Sequence, residues 1–203
     1  MATPQVQGYL TPQEYYQIEK KAAWKSEYFD GEMFAMAGGT AMHSLVATNI
    51  AALLNRELRA KASRCRAYNS DLRVRTGGKG LRTYPDVSVI CGPLIYDDAD
   101  DEQTTVVNPT VIVEVLSPST ESYDRGKKFE LYQSILSLSQ YVLVSQTETK
   151  VETFLRQPDS TWQYTSAADA SQKLSLRSLG VELFLAEIYE DVEFESPMRL
   201  RLI

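Results

Sequence analysis

The sequence predicts a single α/β domain built on a mixed β-sheet that is flanked by helices. Two observations carry this prediction. At the centre of the chain a helical pattern is followed by three strand patterns, a second helix and a further strand, which is the order of an α/β fold. The 203 residues, 43% of them hydrophobic, are enough for one well-filled core. We therefore expect one domain over residues 1–203, with its core at about 41–145.

The N-terminal part of the chain predicts a short helix followed by a β-hairpin. Thr11-Pro12-Gln13-Glu14 has an N-cap threonine, a proline at the first helical position and Glu three residues after the cap. We expect this helix to run to about Lys21. The segments Ser26–Phe29 and Glu32–Met36 flank Asp30-Gly31, which is a strong signal for a hairpin turn.

A longer helix and three strands form the predicted centre of the domain. Apolar residues recur at helical spacing over about 41–62. Strand patterns follow near 66–74, 82–90 and 110–116, and the glycines at 77–80 turn the chain between the first two. The acidic run at 97–102 lacks the regular spacing of a calcium loop, so it predicts a disordered or solvated loop.

The remaining elements are a helix, further strands and a short terminal helix. Asp124 suits the N-cap of a helix that runs to about Leu136. A buried strand is expected at 141–144. The C-terminal strands are predicted at 151–155, 162–165 and 174–176, and the short helix near 183–188.

The charge of the chain is unevenly distributed. The net charge is −6, which argues against nucleic-acid binding by bulk electrostatics. Residues 56–82, however, hold nine basic and two acidic side chains. This segment predicts either a basic face on an acidic body or an ordinary solvated helix and hairpin. On the first interpretation the residues that contact nucleic acid are Arg56, Arg59, Arg73, Arg75 and Lys79.

Cysteine content and hydropathy bear on the cellular location of the protein. Cys65 and Cys91 are too few for a disulfide framework or a thiolate zinc site, and Cys91 is expected to be an inert core thiol. The N-terminus has no signal-peptide pattern, and no run approaches the roughly 18 apolar residues of a membrane span. We expect a soluble cytoplasmic protein without membrane contact.

Two carboxylates in strand-like apolar runs are the main candidates for chemistry. Asp86 follows Pro85 in one run, and Glu114 lies in the middle of the next. A buried carboxylate is costly to desolvate unless a cation compensates it. Mg²⁺ needs only one or two carboxylates together with water and substrate phosphate, so this pair predicts a magnesium site, with Mn²⁺ as the alternative ion. The backbone carbonyl of Val115 is a candidate third ligand.

A lysine is expected to complete such a site. The common position, two residues after the second acid, is Leu116, which cannot serve. Lys128 and Lys127 on the next helix are the candidates, and both are also consistent with plain surface cations. We favour Lys128, because it lies four residues before Tyr132 and therefore shares a helix face with it.

Three further residues are accessory candidates with open alternatives. Asp71 either reaches the same cleft or caps a turn with Asn69 and Ser70. His43, the only histidine, either lines the site or serves as a cap. Glu27, next to the Asp30-Gly31 turn, is either an accessory acid or an ordinary surface residue.

Several segments together resemble the Uma-two family of restriction-endonuclease-like proteins. They are Tyr28–Glu32, Met36–Gly39 with His43, Ser70–Leu72, Tyr84–Val89, Val113–Thr120, Asp124–Tyr132 and Ser137–Val144. The resemblance covers about residues 11–190. It implies the nuclease-like core of the PD-(D/E)XK superfamily, with the N-terminal hairpin and the C-terminal strands added to it.

The resemblance also implies roles for individual residues. The metal would be held by Asp86 and Glu114, with the lysine moved to the following helix. The family's Lys-Phe-x-x-Tyr pattern falls on Lys128–Tyr132 and favours Lys128 over Lys127. The same resemblance favours Asp71 as an accessory acid.

We therefore expect a Mg²⁺-dependent endonuclease that acts on DNA rather than RNA. A homodimer is also expected, because cleavage of two strands usually needs two active sites. The alternative is a non-catalytic nucleic-acid-binding or regulatory module that retains a nuclease fold, and the overall acidity favours it. A third interpretation is an acidic-faced protein-interaction domain.

Overall fold

The structure is a computed structural model that describes residues 9–78 and 80–194. Its helices are α1 (Pro12–Glu19), α2 (Ala41–Ala60), α3 (Glu121–Tyr123), α4 (Phe129–Tyr132) and α5 (Leu185–Ile188), with a π-helical segment (Asp124–Lys128) between α3 and α4. Its strands are β1 (Ser26–Phe29), β2 (Glu32–Ala35), β3 (Cys65–Asn69), β4 (Arg73–Arg75), β5 (Arg82–Thr83), β6 (Val87–Cys91), β7 (Thr105–Val106), β8 (Val111–Leu116), β9 (Gln140–Ser145), β10 (Val151–Arg156), β11 (Trp162–Ala167), β12 (Lys173–Leu176) and β13 (Val181–Phe184). Within the described residues, every helix is too short or too polar to cross a membrane.

The strands form three sheets. A six-stranded sheet has the order β11-β10-β9-β8-β6-β3, and a five-stranded sheet has the order β2-β1-β5-β4-β7. The third sheet pairs β12 with β13. Within the described residues, β8 pairs with β9 and β4 with β7 in parallel, while the other neighbouring strands are antiparallel. The predicted α/β fold with a mixed sheet is confirmed.

The six-stranded sheet is buried on both faces. Along β8, the valines at 111, 113 and 115 belong to a core shared with α2, β12, β13 and α5. Ile112 and Leu116 belong to the opposite core, with Phe129 and Tyr132 of α4. Full burial of such side chains contributes about 1.5–3 kcal/mol each. Glu114 lies between Ile112 and Leu116 on the alternating strand, so it faces the α4 side.

The N-terminal helix and hairpin form as predicted. Thr11 and Glu14 make a reciprocal capping box at the start of α1. The turn between β1 and β2 has positive φ at Asp30 (50°) and Gly31 (91°), as a type I′ hairpin requires. The helix predicted over about 41–62 is α2, which begins after the capping residue Thr40.

The two strands predicted near 66–74 and 82–90 are each divided between two sheets. The chain leaves β3 at a turn in which Asn69 accepts a hydrogen bond from the backbone of Asp71, and it then enters β4. Pro85, which has no N–H to donate, separates β5 from β6. The glycine turn therefore connects β4 to β5, while β3 pairs with β6.

The prediction of an inert thiol at Cys91 is wrong. Cys65 on β3 lies directly opposite Cys91 on β6, and the two form a disulfide. Spacing along the chain does not reveal this pairing, because the strand register brings the two residues together. Closing a loop of this size in the unfolded chain stabilises the native state by about 3 kcal/mol.

Two further local predictions need correction. The helix predicted from Asp124 to Leu136 begins at Glu121 and ends at Tyr132, and Asp124 is buried within it. The acidic run is a turn in which Asp98, Asp101 and Glu102 are exposed, as expected of a solvated loop. Asp97 and Asp100, however, are buried, and Asp97 Oδ2 pairs with Arg82 Nη2 at 2.7 Å. The short helix predicted near 183–188 is confirmed as α5, although its first two predicted residues are the end of β13.

Candidate active site

Glu114 is buried against the helical segment that follows its strand. Glu114 is 3% exposed, and it lies on the face of β8 that packs against α4. The Tyr132 hydroxyl donates a hydrogen bond of 2.6 Å to Glu114 Oε1. The apolar neighbours of Glu114 on β8 determine this direction, because residues of a strand alternate between the two faces.

Lys128 reaches the same carboxylate from the π-helical segment. Its Nζ lies 2.9 Å from Glu114 Oε1 and 3.3 Å from Asp124 Oδ1. Lys127 is exposed and pairs with Glu130 instead. The two lysines therefore separate as helical geometry predicts, and Lys128 is the one that lies in the site. The stacking of Phe129 on Tyr141 fixes the rotation of the helix at this point.

Asp86 is tied to Glu114 through the backbone of both strands. The Val115 N–H donates to Asp86 Oδ2 at 2.7 Å, and the Asp86 N–H donates to Glu114 Oε2 at 3.4 Å. These two bonds hold the carboxylates next to each other at the junction of β6 and β8. The proposed role of the Val115 carbonyl as a metal ligand stays a prediction.

His43 contacts Asp86 from the first turn of α2. Its Nε2 lies 2.9 Å from Asp86 Oδ1, and this hydrogen bond, together with the nearby acidic groups, raises the pKa of His43. The ring packs against Gly39, where a Cβ would lie 2.8 Å from His43 Cδ2. Gly39, which directly precedes the capping residue Thr40, thus leaves room for the histidine ring.

Glu27 enters the site from β1. Its carboxylate accepts hydrogen bonds from the Thr83 hydroxyl and, at 3.3 Å, from Tyr123. Glu27 Oε1 also lies 3.5 Å from Lys128 Nζ. The interpretation of Glu27 as an ordinary surface residue is wrong, because it is part of the same ionic network as Glu114.

The site has more negative than positive charge. Glu27, Asp86, Glu114 and Asp124 form what we call the acidic cluster, and the cations that contact it are Lys128 and, when protonated, His43. Burial raises the pKa of Glu114, and Asp124 and Asp86 add to this rise, whereas the ammonium of Lys128 opposes it and favours the ionised carboxylate. Burial would lower the pKa of Lys128, but Glu114 and the other acidic groups raise it well above its usual value, so the ammonium stays charged.

The residues present fit a hard divalent cation. Two adjacent carboxylates in a site that has an excess of negative charge are the oxygen ligands that Mg²⁺ or Mn²⁺ prefers. Across residues 9–78 and 80–194, no group of three or more His, Cys, Asp or Glu side chains forms a ready cage for a metal ion. A two-carboxylate site of this kind relies on water and substrate for the other ligands.

Asp71 is not part of the acidic cluster. Its side chain is 77% exposed and pairs with Lys25 Nζ at 2.7 Å, an ion pair that lowers the pKa of Asp71. Asp71 also exchanges hydrogen bonds with Asn69. The structure therefore supports the interpretation of Asp71 as a turn cap and not as a residue of the site.

The predicted nucleic-acid-binding residues do not form one face. Arg73 is 7% exposed, with its guanidinium over the rings of Tyr15, Tyr16 and Tyr84. Its guanidinium is enclosed by these rings and donates to the Tyr84 hydroxyl, so Arg73 does not belong to an exposed basic face and its assignment is corrected. Arg75 is partly buried beside Asp97, and this corrects its assignment in the same way.

The remaining predicted cations lie on the outside of α2 or outside the described residues. Arg56 is exposed and pairs with Glu57 and Glu187. Arg59 is exposed near the C-terminal end of α2. Lys79 lies outside the described residues.

An open cleft of about 750 Å³ leads to Asp86 and His43. Small side chains of α2 and the glycines before it form one wall, and Asn69, Ser70 and Tyr84 form another. Lys25 and Met36 of the N-terminal hairpin region also line it. A cleft of this size holds a ligand of roughly nucleotide dimensions.

Two residues that contact Lys128, namely Asp124 and Tyr123, are not among the site residues predicted from the sequence. Asp124 was predicted as an N-cap, yet it is a buried partner of Lys128. The four-residue spacing between them is a signal that could have indicated this pair. Tyr123, whose ring lies 5.9 Å from Lys128 Nζ, had no comparable signal.

The fold and the site together define a class. The structure resembles a crystal structure from Anabaena variabilis described as "a putative nuclease belonging to DUF820", with a TM-score of 0.70 and 17% identity, over 89% of this chain and 97% of that one. In this chain a mixed sheet lies between two helical layers and carries the paired carboxylates and the lysine. Together with the structural match, this arrangement identifies the fold as restriction-endonuclease-like.

The sequence identifies the family within that class. The chain belongs to the Uma2 family, described as "Putative restriction endonuclease", whose pattern matches residues 12–186. It is also similar to two uncharacterized proteins of Synechocystis sp. (strain PCC 6803). The protein slr1290 is 38% identical over 91% of this chain and 94% of its own length. The protein sll1609 is 35% identical over 77% and 86%, respectively.

Proposed function

We propose that this protein is a Mg²⁺-dependent endonuclease that hydrolyses phosphodiester bonds, with DNA rather than RNA as its substrate. The observation that carries the proposal is the pairing of Asp86 and Glu114 through backbone hydrogen bonds, with Lys128 2.9 Å from Glu114. The membership in a family described as "Putative restriction endonuclease" supports DNA as the substrate class.

Asp86 and Glu114 are the residues that would hold the metal. When bound, a divalent cation supplies Lewis-acid polarisation of the phosphate and lowers the pKa of a bound water. Mn²⁺ would serve in place of Mg²⁺, because both prefer carboxylate oxygens. The hydrogen bonds from Val115 and Tyr132 keep the two carboxylates oriented.

Lys128 is the charge-stabilising group. Its ammonium is held by Glu114, Asp124 and Glu27, and its raised pKa keeps it protonated. A fixed cation in a site with little water stabilises negative charge that develops on a phosphate oxygen. His43 orients Asp86 through the contact with Oδ1.

A non-catalytic nucleic-acid-binding or regulatory module is the second candidate. The net charge of −6 and the burial of Arg73 and Arg82 favour it, because few cations remain for binding a long phosphate backbone. The two candidates differ in whether purified protein cleaves nucleic acid. A homodimer and a cytoplasmic location also stay predictions.

The test is cleavage of plasmid DNA, circular single-stranded DNA and RNA by purified protein with Mg²⁺, with Mn²⁺ and with EDTA. We expect DNA cleavage that requires the metal and that falls at least about 100-fold in Glu114→Ala and in Asp86→Asn. Glu130→Ala, which removes an exposed carboxylate paired with Lys127, is the matched control and should cleave normally. Cleavage that persists in EDTA or in Glu114→Ala would contradict the proposal.

A further inference from the structure

The N-terminal hairpin places Phe34 on the same face as Glu27 of the acidic cluster. In the register of β1 and β2, Glu27 lies directly opposite Phe34, so their side chains share one face of the hairpin. The other face carries Tyr28 and Met33, which pack into the core with Tyr15 and Tyr16. Phe34 is 48% exposed and stands next to Glu27, a member of the acidic cluster.

The face that carries Phe34 continues into the cleft. Beyond the pair Ser26–Ala35, the Met36 N–H donates to the Lys25 carbonyl at 2.9 Å, and Lys25 and Met36 both line the cleft. Lys25 directly precedes β1, and the alternation of side chains, continued by one residue, places it on the same face as Glu27. Phe34 therefore shares a hairpin face with Met36, which lines the cleft, although Phe34 itself does not line it.

A second aromatic residue lies on the other side of Glu27. Tyr123 is 37% exposed, and its hydroxyl donates to Glu27 Oε2 at 3.3 Å. Its ring is 5.9 Å from Lys128 Nζ. We call Phe34 and Tyr123 the aromatic ledge. It brings two exposed rings to the margin of the proposed active site.

The charges of the molecule favour stacking over phosphate contacts as the source of binding energy. Duplex DNA is bound largely through many phosphate contacts, which need exposed cations. Here Arg73 and Arg82 are buried, and Arg75 lies beside Asp97. Unpaired strands offer base faces that stack on aromatic side chains, independently of the net charge of the protein.

We propose that the aromatic ledge is a stacking site for an unpaired base, and that the substrate is single-stranded or locally unpaired DNA. This inference rests on the proposed nuclease function and narrows its substrate class. The base would lie on Phe34, the phosphate next to it would approach Lys128, and the strand would continue along the cleft past Lys25.

Several polar side chains of the cleft wall are already hydrogen-bonded within the protein. Asn55 uses its amide nitrogen and oxygen on the backbone of Ala67, and Thr48 donates to Ser44. Asn69 is bonded to Asp71. Because these polar groups of the cleft wall are occupied within the protein, stacking rather than base-edge hydrogen bonding supplies the affinity.

The experiment measures equilibrium binding by fluorescence anisotropy in EDTA, so that binding is separated from cleavage. The probes are a labelled oligothymidine strand of about 20 nucleotides, the same strand with abasic sites, and a duplex of equal length. We expect the strand to bind more tightly than the duplex, and Phe34→Ala to weaken strand binding by about 5- to 100-fold. Phe34→Trp should restore it.

Phe184→Ala is the matched control. Phe184 is 45% exposed on β13, and it does not line the cleft described above. Its replacement should leave strand binding unchanged. The abasic strand should bind the unaltered protein about as weakly as the full strand binds Phe34→Ala, which tests stacking without any change in the protein.

Two results would overturn the inference and leave the nuclease proposal intact. One is metal-dependent cleavage with equal strand binding by Phe34→Ala and the unaltered protein. The other is a change of oligomeric state in Phe34→Ala by light scattering, which would assign Phe34 to contact with a second copy. Failure of all DNA forms to be bound or cleaved would instead contradict the proposed function itself.

Discussion

At the scale of single residues, Lys128 connects the chemistry of the site to its stability. It is a buried cation that faces Glu114, Asp124 and Glu27. A buried ion pair adds little net stability compared with an apolar pair, but removal of one partner leaves the other charge uncompensated. The residue is therefore difficult to replace, and its effects on folding and on cleavage must be measured separately.

We expect Lys128→Met to reduce DNA cleavage by about 100- to 1000-fold, because the fixed charge near the phosphate is lost. The same substitution should lower the free energy of unfolding by about 3–5 kcal/mol, because Glu114 and Asp124 stay buried without it. Single-turnover cleavage and urea denaturation measure the two effects. Lys127→Met, on the adjacent exposed lysine, is the matched control and should change neither quantity noticeably. Equal effects of the two substitutions would contradict the role of Lys128.

The sequence predicted the residues of the site better than it predicted their surroundings. Lys128 and Tyr132 were selected by helical spacing and by the family pattern, and both contact Glu114. Arg73 was placed on a nucleic-acid-binding face because it lies in a basic segment, yet it is buried among tyrosines. Charge along a chain does not report burial, since the partner that compensates a buried charge comes from elsewhere in the fold.

At the scale of elements, Gly39 and Gly126 differ in whether the surrounding structure has room for a side chain. Gly39, before α2, leaves room for the His43 ring, because a Cβ there would be 2.8 Å from His43 Cδ2. Gly126 lies in the π-helical segment, where an added Cβ would meet no atom within 4 Å. The first glycine is required by a close approach, whereas the second only adds flexibility to the unfolded chain.

We expect Gly39→Ala to displace His43 from Asp86 and to lower cleavage about 10-fold or more. Gly126→Ala should raise the free energy of unfolding by about 0.5–1 kcal/mol and leave cleavage unchanged. Thermal denaturation and single-turnover cleavage of both variants are the measurements. If Gly39→Ala cleaved DNA as well as Gly126→Ala does, the contact between His43 and Asp86 would have no functional role.

Local signals predicted the elements that depend on local chemistry. The capping box at Thr11 and the Asp30-Gly31 turn were recognised because their cause lies within four residues. The division of the predicted strands between two sheets, and the disulfide between Cys65 and Cys91, depend on pairing between distant segments. A single sequence contains no direct signal for that pairing.

At the scale of the whole molecule, a nuclease-like fold with a net negative charge raises the question of how nucleic acid would be bound. The location of the basic side chains answers it. The chain carries 21 basic and 27 acidic residues, and several of its arginines are bonded within the protein. A protein of this kind has few cations available for phosphate contacts. Its binding of nucleic acid should therefore depend weakly on salt.

We expect the logarithm of the affinity for single-stranded DNA to fall with the logarithm of salt concentration with a slope of about −2 or shallower. Lys25→Met should make the slope shallower still, because Lys25 is the lysine that lines the cleft. Anisotropy titrations over a range of KCl concentrations measure the slope. A slope steeper than about −5 would indicate many phosphate contacts and a basic face that the described residues do not form.

The central claim is that Asp86 and Glu114 together hold one divalent cation. Anomalous diffraction from crystals soaked in Mn²⁺ tests it most directly. The account predicts one anomalous peak at about 2.1–2.3 Å from a carboxylate oxygen of each residue, with Lys128 beside it. A map in which Mn²⁺ binds elsewhere, or in which no ion touches both carboxylates, would contradict it.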